Sequence, residues 1–147
     1  MSKAIFQAHI EQIWNNKDAS GIERFIAPTY RGFEAAEVIS GIEGYKQHFV
    51  TLTTGFPDMR ITIEVILEEV IREGDTRAAA RFVVEATHTG PFGEIPPTGK
   101  RVRVTGIAVA RIRNGQLVEE HANSDTLGLL QQIGITPEAV TVPPFFF

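Results

Sequence analysis

The sequence predicts an α+β domain in which a strongly curved, mostly antiparallel sheet and N-terminal helices enclose one small-molecule pocket. Three observations carry this. Helical periodicity is confined to the segment before Pro57, alternating periodicity runs from Ile61 to Ser124, and Asn114-Gly115 is a strong hairpin signal between two such runs. Helices first and a meander of strands afterwards is an α+β order rather than an alternating βαβ one. Long strands coil, so a concave face covered by helices leaves a cleft.

The first helix spans Ser2 to Asn16, with Phe6, Ile10, Ile13 and Trp14 on one face. Asp18 or Ser20 caps a short second helix through Phe25, which Pro28 ends. Ser40 caps a third helix from Ile42 to Thr53, with Tyr45, Phe49 and Leu52 inward. Beyond Pro57, Ile61, Ile63, Val65 and Leu67 share one strand face, and Glu73-Gly74-Asp75 turns the chain. Ala78, Ala80, Phe82, Val84 and Ala86 line the next strand, with Arg77, Arg81 and Glu85 opposite. A Pro- and Gly-rich loop, Gly90 to Gly99, leads to a strand facing inward with Val102, Val104, Gly106, Ala108, Ala110 and Ile112. A fourth strand, Gln116 to Ser124, precedes a helical turn from Thr126 to Ile133, and residues 133–147 form a C-terminal tail.

With 147 residues there is room for one domain, 1–147, and for a core that needs no staple. The absence of cysteine excludes disulfides, thiol catalysis and thiolate zinc sites. A formal net charge of −4 argues against nucleic acid as partner, because such a footprint is basic. No apolar run is long enough for a membrane span and the N-terminus lacks a signal-peptide core, so a cytoplasmic location is expected. Four scattered histidines show no metal-ligand spacing.

Several stretches together resemble the SnoaL-like polyketide cyclases, within the nuclear-transport-factor-2-like fold. They are Ile13-Trp14-Asn15, Gly44-Tyr45, Phe56-Pro57-Asp58, Thr87-His88-Thr89-Gly90, Pro96-Pro97-Thr98-Gly99-Lys100, Asn114-Gly115 through Val118-Glu119 to Asp125, and Gln132-Ile133-Gly134. The resemblance implies a cone-shaped fold, a homodimer, no cofactor, and ring closure by intramolecular aldol condensation. One aspartate, at the position matching Asp125, would be the general acid/base. His121 stands where the family pattern usually has tryptophan.

Asp125 is therefore the leading catalytic candidate. On a regular strand it shares a face with His121 and Asn123, giving a base with two hydrogen-bonding neighbours. It also precedes Thr126-Leu127-Gly128-Leu129 and could simply cap that turn. His121 is the second catalytic candidate. His88, continuing the apolar face of its strand, Asn123, and the aromatics Trp14, Tyr30 and Phe49 are the candidate substrate contacts. His9 and His48 read as structural. The expected function is a cofactor-independent cyclase or isomerase, of lyase or isomerase chemistry, acting on an apolar, carbonyl-rich molecule. The alternative is a non-catalytic small-molecule-binding or stress-related protein of the same fold. Thr105, Ile107 and Val109, apolar between flanking arginines on the outer face, predict a homodimer interface.

Overall fold

The N-terminal periodicity builds α1 (Ser2–His9), which continues through a π-helical segment, Ile10–Asn15, burying Phe6, Ile10, Ile13 and Trp14. The computed structural model describes residues 1–35 and 37–147. Asn15 stops the helix and ties it to the sheet: its amide donates to the Ile61 carbonyl at 3.0 Å and accepts from the Ile61 N–H at 2.8 Å. Asp18 accepts from the Ser20 N–H and hydroxyl just ahead of α2 (Gly21–Phe25).

The second helix ends at Phe25, ahead of Pro28 as expected, and Pro28 itself lies in a strand. The chain passes straight from α2 into β1 (Ile26–Glu34), and β2 (Glu37–Ser40) follows. Proline removes a ladder donor. Here it falls in the gap of the β1–β6 register between Ile26 and Arg31, where no ladder bond is required of it. Then come α3 (Gly41–Gly55), β3 (Arg60–Arg72), β4 (Asp75–Thr87), β5 (Arg101–Arg113), β6 (Gln116–Ser124) and α4 (Thr126–Ile133). The six strands form one curved, unclosed sheet in the order β2-β1-β6-β5-β4-β3. Only the β1–β6 pairing is parallel; the others are antiparallel.

Asn114-Gly115 makes the β5–β6 hairpin with φ of 49° and 82°, the left-handed pair such a two-residue turn needs. At that end Arg111 grips Asp75 through both carboxylate oxygens, at 2.9 and 2.8 Å, which holds the Asp75 pKa down to about 2. One expected strand face is interrupted. A register shift between Ile63 and Val65 moves Val65 and Leu67 to the outside, 50% and 65% exposed, and turns Ile66 toward the core instead. An inserted residue reverses which side every later side chain faces.

The inner faces of β4, β5 and β6 carry small residues: Ala78, Ala80, Ala86, Gly106, Ala108, Ala110 and Ala122. Rings from the helices, from β1, from the loop after β4 and from the C-terminal tail fill the space these leave. Trp14, Tyr30, Tyr45, Phe56, Phe92, Phe145 and Phe146 are fully buried there.

On the outer face Ile107 is 54% and Val109 38% exposed, framed by Arg103 and Arg111 on the same strand. We propose that a second copy of the chain covers this patch. Ile107→Arg should then convert a dimer into a monomer in sedimentation at micromolar concentration; an unchanged sedimentation coefficient would count against it.

Candidate active site beneath the sheet

β6 brings an acid into the interior, but not the one its sequence suggests. Leu117 points inward opposite Ile112, yet Glu119, not Val118, pairs with Arg111. Val118 is thus an extra residue, a bulge that reverses the parity of the strand. Beyond it Glu120 and Ala122 are buried, while His121 and Asn123 face out and are exposed.

Asp125 likewise lies outside. It is exposed, and its Oδ1 accepts the Gly128 N–H at 2.9 Å as the N-cap of α4. The expected geometry, a carboxylate turned into the pocket beside His121 and Asn123, is not what the chain adopts. The orphan amides of a helix start are the strongest nearby donors for a short carboxylate. His121 stacks on Phe33, ring centroids 4.7 Å apart, and lies 3.4 Å from Glu119.

Glu120 is fully buried. The Tyr30 hydroxyl donates to its Oε1 at 2.9 Å, and Oε2 has no hydrogen-bond partner among the described residues. Burial pushes the carboxyl up to about 8, and the Tyr30 bond only partly opposes this. The Trp14 indole N–H donates to the Tyr45 hydroxyl at 2.9 Å, and the Tyr45 ring meets Tyr30 edge-on at 5.2 Å. Phe49 packs against Trp14 at 5.3 Å. Of Trp14, Tyr30 and Phe49, expected as pocket walls from sequence, Tyr30 bonds the acid directly, while Trp14 and Phe49 reach it only through the Tyr45 ring. Desolvation raises both tyrosine phenols well above their ordinary value.

His88 is buried, as its place on the strand predicts. Its Nδ1 lies 3.0 Å from the Thr98 hydroxyl and 3.3 Å from the Thr98 N–H, Nε2 has no partner among the described residues, and the ring stacks on Phe56 at 5.1 Å. His9 and His48 are buried with both pKa values pulled down to about 4 by desolvation. His9 donates from Nδ1 to the Phe6 carbonyl at 2.6 Å, and the Phe147 backbone lies against the same ring.

Sequence reasoning missed Glu120, and one signal could have found it. Leu117 and Ala122 are both apolar but an odd number of residues apart, which a single regular strand cannot place on one face.

Two stability experiments follow. Glu120 titrates near 8 when folded and near 4.5 otherwise, so the native state holds a proton the unfolded chain releases. Stability contributed at low pH is lost as pH rises from about 4.5 to about 8. The two histidines act oppositely, and their penalty grows as pH falls from about 6.5 to about 4. Between pH 6.5 and 8 the Glu120 slope, worth about 2 kcal/mol, outweighs the opposing slope of His9, His48 and His88, which fades as their unfolded forms lose their protons. In urea unfolding, Glu120→Gln should hold or slightly gain stability across that window where the parent chain weakens; an unchanged slope would acquit Glu120. Asp125→Ala should cost about 1 kcal/mol in the same assay and Asp125→Asn close to nothing, because the amide keeps the capping oxygen.

The model of the SnoaL-like polyketide cyclase family matches residues 4–133. No curated protein matches the sequence. Among solved structures, a candidate SnoaL-like polyketide cyclase from Jannaschia sp. CCS1 superimposes with a TM-score of 0.75 at 22% identity, covering 91% of this chain and 92% of the other. AclR, a candidate hydroxylase from Streptomyces galilaeus, gives 0.76 at 27% identity over 92% and 85% of the two chains. IdmH, a candidate polyketide cyclase from Streptomyces antibioticus, gives 0.67 at 29% identity over 87% and 95%.

Proposed function

Because the chain belongs to the SnoaL-like polyketide cyclase family, we propose that it is an enzyme acting on an apolar, carbonyl-bearing small molecule in the space beneath the sheet. The observation that carries this is Glu120: a fully buried carboxyl with one free oxygen, one tyrosine donor and aromatic walls. A candidate polyketide cyclase at 29% identity supports the same reaction class.

The chemistry is proton transfer at a carbon flanked by carbonyls. Glu120 Oε2, when ionised, takes the C–H proton, and the electron pair of that bond moves onto the neighbouring carbonyl oxygen as an enolate. The enolate carbon attacks a second carbonyl carbon of the same molecule, forming the ring bond. Glu120, now carrying the proton, returns it to the alkoxide, so atoms and charge balance without a cofactor. The aromatic surroundings keep the acid's pKa near the working pH, where a proton acceptor can also give the proton back. Asp125 acts in this reading only through the cap that starts α4.

One observation favours the alternative, a non-catalytic binding protein of the same fold: the rings of Phe145, Phe146 and Phe147 fill the interior, with Phe146 beside the Tyr30 hydroxyl that bonds Glu120. Kinetics decide between the two. With a linear poly-β-ketone as substrate, ring formation should rise with pH and level off above about 8. Glu120→Gln should lower kcat at least a hundredfold, whereas Asp125→Asn should keep it within a few-fold. A dead Asp125→Asn beside an active Glu120→Gln would return the role to Asp125. No turnover by the parent chain over a panel of such ketones would favour the binding protein.

A further inference from the structure

The convex face of the sheet carries a hollow that the candidate active site does not use. It arises from a mismatch in the β1–β6 pairing. Ile26 lies opposite Leu117 and Arg31 opposite Glu119, so residues 27–30 of β1 face Val118 alone. A mismatch of this kind breaks the ladder and bends the strands. Tyr30 and Glu120 turn inward there and are buried. On the other side Thr29, Arg31, Val118 and Glu119 are left around a depression of about 230 Å³, which Arg111 and Arg113 of β5 close.

The three arginines are unequally engaged. Arg111 grips Asp75 with Nε and Nη2 and keeps Nη1 to spare. Arg113 approaches the same carboxylate with Nε alone, at 3.4 Å. Arg31 has no ion pair among the described residues. Its guanidinium lies over the Phe33 ring, 5.2 Å from the centroid, and Phe33 is itself stacked on His121. The one acid in the lining, Glu119, is 3.4 Å from His121 Nε2 and pairs with none of the arginines.

With Arg72, whose Nε is 3.8 Å from Asp75, four guanidinium groups face two carboxylates, Asp75 and Glu119. That is a local excess of two positive charges on a chain of net charge −4. Asp75 needs one fork, and Arg111 supplies it through both oxygens. The further cations add repulsion to the fold and few hydrogen bonds. An anion in the hollow turns that repulsion into charge-assisted bonding.

Size narrows the ligand. A hollow of about 230 Å³ is smaller than the roughly 300–1,000 Å³ that holds a drug-sized molecule. Planar guanidinium forks match the paired oxygens of phosphate and carboxylate groups.

We propose that this hollow is a binding site for a compact polyanion carrying two or more phosphate or carboxylate groups. Arg31 and Arg113 hold it from β1 and β5, and Arg111, fixed on Asp75, forms the wall between them. The site stands apart from the interior and from any reaction of Glu120.

The probes are pyrophosphate and citrate, titrated at low ionic strength into the isotope-labelled full chain and followed by amide NMR. Shifts should concentrate at Thr29, Arg31, Val118 and Glu119, and affinity should fall as sodium chloride is added. Arg31→Gln and Arg113→Gln should each weaken binding about tenfold. Glu119→Gln, which removes the one acid of the lining, should tighten it about threefold, a gain that misfolding cannot produce. Arg103→Gln, at an exposed position near the other end of β5, should leave affinity within about twofold. Binding of pyrophosphate alone identifies the occupant as a phosphate ester, and of citrate alone as a polycarboxylate; either supports the site. No shift at those four amides with either probe at millimolar concentration would overturn it. So would equal losses in Arg31→Gln and Arg103→Gln, which would mean general surface charge instead of a site.

Discussion

The unbroken ladder between β4 and β5 is the constraint on which the rest of the molecule depends. Thirteen residues of each strand pair without a bulge, from Asp75 opposite Arg113 to Thr87 opposite Arg101. A ladder that long holds one parity from end to end, so Ala78, Ala80, Phe82, Val84 and Ala86 face the same side as Val102, Val104, Gly106, Ala108, Ala110 and Ile112. Most of those side chains are small. A twisted sheet lined with alanine cannot fill its own concavity, and native packing density must come from elsewhere. Large rings supply it from α1, α3, the loop around Phe92 and the tail. Phe82, the one large side chain in the middle of β4, is accommodated because Gly106 lies opposite it.

Legibility from sequence follows the same division. β4, β5 and their hairpins read correctly because alternation there is unbroken and Asn114-Gly115 leaves few other turns possible. Alternation fails where a strand carries an extra residue. Near Glu64 the shift exchanges Val65 and Leu67 for Ile66, and at Val118 it exchanges His121, Asn123 and Asp125 for Glu120. A bulge leaves composition untouched and moves every later side chain across the sheet, so a correct strand assignment yielded the wrong inward acid. β1 was obscured differently: Pro28 and Gly32 are poor strand residues by propensity, tolerated in a register gap and against a buried ring. The tail reads only as an apolar terminus, since its burial depends on long-range space that no local pattern encodes.

The buried acid and the buried histidines make the interior unusual in one further respect. At neutral pH Glu120 is mostly protonated and His9 and His48 are neutral, so the interior holds titratable groups but almost no charge. An ionised pair at this depth would carry a large desolvation cost. Neutral forms avoid that cost and still offer donors and acceptors. That is the state suited to an apolar ligand with a few oxygens.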